Sequence, residues 1–287
     1  MEEKRAMIFS NKQDHKISIN AGCKYYKISR SSYYDKRTKK HISEKELEEI
    51  IVYIFHKSFE TWGARRIKKY LEKIGLRVDR GKIAKIMKRL QLVAVVDPPR
   101  YKGPGKATVN NDMIQNILAR QFSGRKLYEV IVSDVTYLKI NQKWYFLCVM
   151  LDICSRQILS YAVSEHRDSA LVEQAFKSMQ IDHSRIEIFH TDRGSEFSSK
   201  IIGDLLRKYD IKRSLSEKGC PIDNAVCESL FSTFKREFFK RSEFVNLPEF
   251  MYYLDKYVTF YNNDRLHSSL DYKTPIEYAQ IQEEIGA

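Results

Sequence analysis

The sequence predicts an α/β fold in which a mixed five-stranded sheet with flanking helices follows a small all-helical region. Before residue 97, apolar residues recur at helical spacing. After residue 126, short apolar runs rich in β-branched and aromatic residues alternate with helical patterns. A stretch that holds three of the six prolines separates the two parts, which indicates a linker between them.

Positive charge is concentrated in the first part of this 287-residue chain. Lys and Arg number 50 against 37 Asp and Glu, a formal net charge of +13. Residues 1–125 hold 29 basic and 13 acidic residues (29 − 13 = +16), and the rest of the chain holds 21 and 24 (21 − 24 = −3). This asymmetry favours a polyanion-binding arm joined to a separate body. A solvated surface and an anionic membrane are the alternative interpretations of the charge.

Neither a membrane span nor a secretory signal is expected. No apolar stretch approaches the ~20 residues that a span needs, and the opening residues MEEKR lack the apolar run of a signal peptide. The cysteines lie at positions 23, 148, 154, 220 and 227. They are odd in number, scattered and without a C-x-x-C pair, so neither a disulfide framework nor a zinc site is indicated. Nucleic acid is the favoured partner, and a cytoplasmic location is expected.

Residues 1–40 are interpreted as a short helix-turn-helix-like segment. A helix is expected over Asn20–Tyr26, and Ser29 is expected to cap a second short helix that runs through Tyr33. The pattern is too short to establish DNA binding without further evidence from the rest of the chain.

Residues 41–96 are predicted to form a helical DNA-binding domain of three helices. Ser43 opens the first with a capping box, Thr61 is expected to start the second, which ends near Gly75, and Asp79 is expected to cap the third. Basic residues cover the outer face of the third helix, namely Lys82, Lys85, Lys88 and Arg89. A DNA-binding face and a solvated helix face explain this charge equally well.

Residues 97–125 are interpreted as a basic linker and connecting segment, because the run DPPRYKGPGK breaks every regular pattern. Three apolar, β-rich runs follow, over 128–140, 144–151 and 157–164. Short connections join these runs, and the sequence therefore predicts an antiparallel meander.

The elements after the meander complete the predicted sheet. They are a helix over 169–179, a strand over 186–190, a helix over 201–208, a strand over 211–215 and a long helix from Asp223 or Asn224 to about residue 239. This order is that of a ribonuclease-H-like fold, although ribosomal or chaperone α/β domains share the rough outline. Residues 126–245 are predicted to form a ribonuclease-H-like catalytic core, and 246–287 a C-terminal helical extension.

Three acidic residues stand out by their context. Asp134 lies inside an apolar strand, Asp192 follows the fourth strand, and Glu228 lies in the opening turns of the long helix. A buried strand carboxylate is costly unless it is paired or binds metal, and carboxylates at strand ends and on a nearby helix can converge. Each one alone is better explained as a helix cap or a surface ion pair. All three together favour a magnesium site, since Mg²⁺ prefers a few carboxylates and keeps places for phosphate and water.

Six motifs cover nearly the whole chain. They are WGARRI at 62–67, SDVTY at 133–137, LDICSR at 151–156, HTDRGSEF at 190–197, PIDNAVCESLF at 221–231, and YNNDRLH at 261–267 followed by Thr274-Pro275. Together they resemble the motifs of transposases of the insertion-sequence-three family, second reading frame, whose catalytic core is that of retroviral integrases. Thirty-five residues separate Asp192 from Glu228 (228 − 192 − 1), the spacing for which this family is known.

The resemblance implies a DDE-type transposase that carries out metal-dependent DNA strand cleavage and strand transfer at insertion-sequence ends. Asp134, Asp192 and Glu228 would be the catalytic residues and would hold two Mg²⁺, for which Mn²⁺ can substitute. Lys235 lies seven residues after Glu228, on the same helix face, and matches the family's basic residue there. It is expected to contact DNA near the scissile phosphate, with a solvated lysine as the alternative.

Further residues receive expected roles. Arg65 and Arg66 of the WGARRI motif join the basic face of the third helix as predicted DNA contacts. Arg193 is expected either to touch phosphate or to serve only as a turn residue. His190 points away from the carboxylates by strand alternation and is interpreted as structural. Asp152 is expected to anchor a turn with Arg156 instead of binding metal.

The partners implied by the resemblance are terminal inverted repeats and target DNA. A homodimer or higher oligomer on DNA is expected because two ends must be brought together. In the family, the product of an upstream reading frame supplies end recognition, often as a fusion. This chain shows no long heptad zipper, so it is expected to be catalytically complete yet poor at finding its ends alone. A bacterial, nucleoid-associated location follows. Trp62 stands where the family has Tyr, a departure that leaves the chemistry intact.

Two rival functions differ from transposition in class. A non-catalytic DNA-binding regulator would use the basic front half, but it has no reason to keep three carboxylates in such contexts. A ribonuclease acting on RNA–DNA hybrids would share the fold and the metals, but it does not account for the helical module or the YNNDRLH motif. The carboxylates therefore favour the enzyme over the regulator, and the flanking motifs favour transposition over hybrid cleavage.

Overall fold

Four helices precede the sheet in the computed structural model, which describes residues 18–30, 42–95, 115–217 and 220–286. They are α1 (Ile19–Tyr25), α2 (Glu44–Lys57), α3 (Ala64–Lys73) and α4 (Arg80–Arg89). The helix predicted over Asn20–Tyr26 is α1, and the Oγ of Ser18 caps it by accepting from the Ala21 N–H. The helix predicted to follow Ser29 extends into residues outside the described ranges.

Side-chain caps fix where two of these helices begin. At α2 the predicted capping box is present: Ser43 Oγ accepts from the Glu46 N–H, and Glu46 Oε2 accepts from the Ser43 N–H. Asp79 caps α4, as predicted. The predicted start of α3 at Thr61 is wrong. Its N-cap is Gly63, because Thr61 is buried and its hydroxyl donates to the Ser58 carbonyl of the preceding turn.

The sheet contains the five predicted strands in the order β3-β2-β1-β4-β5. They are β1 (Val130–Ile140), β2 (Lys143–Asp152), β3 (Ile158–Ser164), β4 (Ile188–Thr191) and β5 (Lys212–Leu215). The first three form the predicted antiparallel meander, and β4 and β5 run parallel to β1. Positive φ angles at Asn141 and Gln142 form the tight turn between β1 and β2. The mixed five-stranded sheet is confirmed.

Five helices flank or follow the strands. They are α5 (Ser169–Lys177), α6 (Lys200–Lys208), α7 (Ala225–Glu237), α8 (Leu247–Asn263) and α9 (Pro275–Gly286). A 3-10 turn, Pro221–Asn224, leads into α7. Asn224, one of the two expected caps, occupies the N-cap position of α7 but makes no side-chain cap bond within the described residues. Asp223 instead accepts from the Arg120 guanidinium and the Glu217 N–H.

The two faces of the sheet bury different partners. Side chains alternate along β1, so Val130 and Val132 join a core with α7 and α8, whereas Ile131 joins a core with α5 and α6. Both faces are therefore covered, and the middle strand is shielded from solvent on each side. A polar side chain on β1 needs a specific reason to be there.

Helices α2 to α4, called the front helices below, share a hydrophobic core with the rest of the chain. Phe59, between α2 and α3, makes edge contacts with Phe238, Tyr257 and Phe260. Lys57 Nζ lies 2.6 Å from Asp264 Oδ1 just after α8. The helices of the predicted DNA-binding domain are thus docked on the C-terminal extension, while the predicted domain boundaries stay predictions. None of the described helices is both long and apolar enough to cross a membrane.

Candidate active site

Asp134 lies within β1, the middle strand of the sheet, opposite Val149 of β2. Its Oδ1 accepts from the Val135 N–H at 2.7 Å. Burial raises the pKa of the Asp134 carboxyl to about 7, and the charges of Asp192 and Glu228 act in the same direction. The structure therefore brings the three predicted carboxylates close enough to interact.

Asp192 directly follows β4, the parallel neighbour of β1. Because Val132 pairs with His190, Asp134 and Asp192 each stand two residues beyond the same point of the parallel ladder. Asp192 Oδ1 accepts from the Gly194 N–H at 2.9 Å, which fixes the start of the following loop. The two aspartates therefore lie side by side, where β4 ends beside the middle of β1.

Glu228 lies in the first turn of α7 and is half-buried. The start of this helix is tied to β1 because Asn224 Nδ2 donates to the carbonyl of Ser133 at 3.3 Å. A carboxylate in the first turn of a helix is also stabilised by the unpaired backbone N–H groups there. The loop and helix start therefore deliver Glu228 to the strand that carries Asp134.

Lys235 is the half-buried cation two turns further along α7. Its Nζ lies 4.8 Å from the centroid of the Tyr137 ring on β1. Burial and the charge of Lys240 lower the pKa of Lys235, whereas the charge of Asp134 opposes them. Lys235 is thus close enough to feel the charge of Asp134, and its contact with DNA stays a prediction.

A second cation beside the carboxylates, Arg167, was missed from sequence. Its Nε and Nη2 lie 2.8 and 2.7 Å from Oε1 of the buried Glu196. Although burial opposes the effect, Glu196 raises the pKa of Arg167, and Asp192 and Asp134 add to it. Glu196 is a second acidic residue in the HTDRGSEF motif, four residues after Asp192, and this acid is the sequence signal that could have revealed an ion pair.

His190 is buried, and both its ring nitrogens lie near hydroxyls: Nδ1 is 2.9 Å from Ser214 Oγ and Nε2 is 3.1 Å from Ser216 Oγ. Such contacts suit the structural role inferred from strand alternation. Arg193 Nε donates to the carbonyl of Ser216 at 2.9 Å, joining the loop after β4 to the end of β5. Arg193 therefore has at least a turn-holding role.

Asp152 anchors the turn between β2 and β3, as expected. Its carboxylate accepts from the Ser155 N–H at 2.7 Å, the Ser155 hydroxyl at 2.6 Å and the Tyr128 N–H at 3.1 Å. Arg156 takes part in this turn through its backbone, whose N–H donates to the Asp152 carbonyl at 2.9 Å. Its guanidinium turns away and donates to the carbonyl of Phe122 at 3.3 Å.

We expect His190 to make stability depend on pH. Burial lowers its pKa from 6.5 to about 4, so the unfolded state binds more protons between these values and the free energy of unfolding falls as pH drops. The loss reaches about 3 kcal/mol at pH 4. Urea unfolding at pH 7 and pH 4.5 should show a smaller pH dependence in His190→Asn than in the wild type. Equal dependence in both proteins would exclude His190 as the source.

The predicted DNA contacts of the front helices differ in their surroundings. Four of them, Arg65, Lys82, Lys85 and Lys88, are exposed. Arg89 is exposed but ion-paired with Glu44 and Glu48 of α2, so its charge is partly balanced inside the helical region. Arg66 is half-buried and faces the C-terminal motif instead of open solvent.

A second, more compact group of possible metal ligands lies just before α7, in addition to the three predicted carboxylates. Within the described ranges, Glu217, Cys220 and Asp223 are the three residues whose ligand atoms lie within 4.8 Å of one another. Asp223 is already bound to Arg120 at 2.6 Å, so this group is explained by an ion pair. The carboxylate oxygens of Asp134, Asp192 and Glu228 do not all lie within 4.8 Å of one another.

Comparison with known proteins identifies the class. An integrase core domain family matches residues 125–221, a second integrase core family matches 209–275, and an HTH-like domain matches 42–100. Such a combination of domains defines a DNA-binding enzyme of the polynucleotidyl transferase type. DNA is therefore a partner of this chain.

Relatives along the full length identify the family. The chain is 31% identical to the putative transposase InsK of insertion sequence IS150 from Escherichia coli K12, over 88% of this chain and 87% of the relative. It is 30% identical to the transposase of IS904 from Lactococcus lactis, over 84% and 96%. The chain belongs to the insertion-sequence-three family of transposases and functions in DNA transposition.

Solved integrase cores are also similar in structure. The catalytic core of HTLV-2 integrase, solved in complex with magnesium, aligns with a TM-score of 0.41 and 21% identity, over 54% of this chain and 99% of that one. The catalytic core of BIV integrase aligns with a TM-score of 0.42 and 17% identity, over 55% and 98%.

Proposed function

We propose that this transposase cuts DNA at insertion-sequence ends and joins the freed ends to new DNA with a metal site built from Asp134, Asp192 and Glu228. The observation that carries the proposal is the half-buried position of Asp134 beside the other two carboxylates. Burial there makes its charged form unfavourable and raises its pKa, and a bound divalent cation would remove that cost. A purely structural cluster would gain nothing from three acids at this point.

The donor set fits Mg²⁺, with Mn²⁺ as a substitute. Carboxylate oxygens from a few residues are the ligands that Mg²⁺ uses when it also binds phosphate and water. When bound, two such ions would activate the attacking oxygen and stabilise the leaving oxygen of an in-line phosphoryl transfer. The number of ions and the residues that hold them belong to the proposal.

Neighbouring groups of the chain hold the aspartates in position and place positive charge beside them, where a DNA strand would bind. Backbone N–H groups of Val135 and Gly194 hold Asp134 and Asp192 through one oxygen each. Arg167 places positive charge beside the aspartates, held by Glu196. Lys235 would contact the phosphate next to the bond that breaks.

The reaction consists of two phosphoryl-transfer steps, first a hydrolysis and then a transesterification. Water attacks the phosphate at the transposon end, the P–O bond to the 3′ oxygen breaks, and a 3′-hydroxyl is released. That hydroxyl then attacks a second DNA phosphate, forming a new phosphodiester bond as another 3′ oxygen leaves. No covalent bond to the protein forms, so no Ser or Tyr nucleophile is required.

The proposal also includes the DNA substrates, the oligomeric state and a protein partner. The DNA substrates are terminal inverted repeats and target DNA, and a dimer or higher oligomer brings two ends together. The front helices α2 to α4 contribute an exposed basic surface. The product of an upstream reading frame, or a fusion with it, supplies end recognition in the nucleoid.

Metal removal tests the proposal directly. Purified protein should nick labelled end DNA in Mg²⁺ or Mn²⁺, lose that activity in EDTA, and regain it when Mn²⁺ is restored. An RNA–DNA hybrid of the same sequence is the matched substrate control. Cleavage that persists in EDTA would contradict the metal site, and preferential cleavage of the hybrid would favour a ribonuclease.

A further inference from the structure

A basic cleft of about 530 Å³ lies beside α7, on the flank of the helix next to Glu228. Ser232 and Arg236 of α7 line it, and at 100° per residue Arg236 stands roughly 80° around the helix from Glu228. Four arginines in all line the cleft: Arg66, Arg156, Arg236 and Arg265. No acidic residue of the described ranges lines it.

Three sequence motifs that the proposed metal site does not use meet in this cleft. Arg66 comes from WGARRI on α3, Arg156 from LDICSR after β2, and Arg265 from YNNDRLH after α8. His267 of the last motif lies among them. Burial lowers its pKa to about 2, and the charges of Arg265, Arg66 and Arg156 act in the same direction. The arginines are therefore close enough to act on one side chain.

The positive charge of the cleft is only partly balanced. Glu237 is buried behind the cleft and forms a bidentate ion pair with Arg265, in which both N···O distances are 2.8 Å. Its contact with Arg236 is longer, at 3.5 Å. Within the described ranges, Glu237 is therefore the carboxylate that forms ion pairs with arginines of the cleft, namely Arg236 and Arg265. Burial lowers the pKa of Arg156, and the charge of Asp152 opposes this effect.

Two of the arginines lack an acidic partner in the described parts of the chain. The Nη1 of Arg156 is buried and without a hydrogen-bond partner. Arg66 is in no ion pair within the described ranges. Burial and the charges of Arg265 and Arg236 lower its pKa, although the charge of Glu237 opposes them. A desolvated, unpaired cation is costly. Such an arrangement is typical of a site that binds an anion.

We propose that this cleft binds backbone phosphates of DNA, held by Arg66, Arg156 and Arg236. The assignment rests on the proposed function, because the DNA is the strand that reaches Glu228. Arg236 lies eight residues after Glu228, about 12 Å along the helix axis, which is three or four base steps at about 3.4 Å each. A bound strand would also tie the front helices to the catalytic core, since Arg66 and Arg236 belong to different parts of the chain.

Salt dependence of DNA binding tests the cleft. Fluorescence anisotropy of a labelled duplex is measured across salt concentrations in EDTA, with the full-length chain. Loss of one phosphate contact lowers the slope of log K against log salt by about 0.9, and weakens binding roughly fivefold at 0.15 M salt. Arg66→Gln should show this loss without a lower melting temperature, because an unpaired buried charge has been removed.

Two further variants sharpen the test. Ser232→Asp places a negative charge at an exposed position in the cleft and should weaken binding in the same way. Arg207→Gln removes an arginine from the outer face of α6, where it pairs with Asp204, and should bind as the wild type does. Wild-type slope and affinity in both Arg66→Gln and Ser232→Asp would overturn the proposal.

A measurement with inorganic phosphate tells whether the cleft binds free phosphate or the phosphates of DNA. The DNA assignment would also be overturned if phosphate raised the melting temperature of the wild type but not of Arg66→Gln, while DNA binding was equal in both. All binding is measured in EDTA, which removes divalent metal. The results therefore do not depend on whether the carboxylates hold metal or are catalytic. Failure of the metal site is seen separately, in the cleavage assay.

Discussion

Replacing Asp134 with Asn is expected to abolish DNA cleavage and, in the absence of metal, to stabilise the fold. Loss of residues that merely support a metal ligand typically costs ~10–100-fold in activity, so loss of a ligand should exceed ~100-fold. The gain in stability has a separate origin. Asp134 is held in a half-buried position beside Asp192 and Glu228, where its charge is unfavourable.

The sign follows from the raised pKa. Between pH 3.8 and about 7 the folded state keeps a proton on Asp134 that the unfolded state has lost, so the free energy of unfolding falls as pH rises. Above pH 7 the full cost is present, up to about 4 kcal/mol. Asp134→Asn removes this cost because an amide carries no charge.

Urea unfolding at pH 8 in EDTA measures the effect. Asp134→Asn should be more stable than the wild type there and close to it at pH 4. Asp204→Asn, at an exposed position of α6, is the matched control and should change stability little. If the Asp134→Asn variant were no more stable than the wild type at pH 8, the carboxylate cluster would not be under electrostatic strain.

The second large effect is expected at the buried ion pair of Glu237 and Arg265. Both side chains are almost fully buried, and two N···O contacts of 2.8 Å join them. Glu237→Leu would leave the Arg265 guanidinium buried without its counter-charge. Such a change typically costs about 3–5 kcal/mol of stability.

A double substitution distinguishes pair breaking from lost packing. Glu237→Leu with Arg265→Met removes both charges and should recover much of the stability lost by Glu237→Leu alone. Asp204→Ala breaks the exposed pair with Arg207 and should cost less than about 1 kcal/mol. A double variant as unstable as the single one would mean that the charge pair is not what stabilises this region.

Sequence patterns predicted the helices and strands well because caps and apolar periodicity depend on residues that are close together in the chain. The capping box of Ser43 and Glu46 and the cap at Asp79 each depend on residues within three positions. The start of α3 was placed too early because the buried bond of Thr61 to the preceding turn has no sequence signature. Caps read from a motif are therefore safer than caps read from a single residue type.

Contacts between distant segments could not be predicted in the same way. An apolar helix face shows that a face is buried, but not that Phe59 packs on Phe260 or that Lys57 pairs with Asp264. The carboxylates were found because each stands inside a motif with known spacing. The Arg167–Glu196 pair and the arginine cleft were missed, since their members are scattered along the chain and meet only after folding.

The most direct test of the central claim compares the wild type with Glu228→Gln on labelled end DNA in Mn²⁺, each fused to the upstream frame so that end recognition is supplied. Glu228→Gln keeps the shape of the side chain and removes one metal-binding charge. Nicking and strand transfer by the wild type alone, with equal DNA binding by both proteins, is the expected result. Equal cleavage by the two proteins would show that Glu228 is not catalytic and would contradict the three-carboxylate metal site.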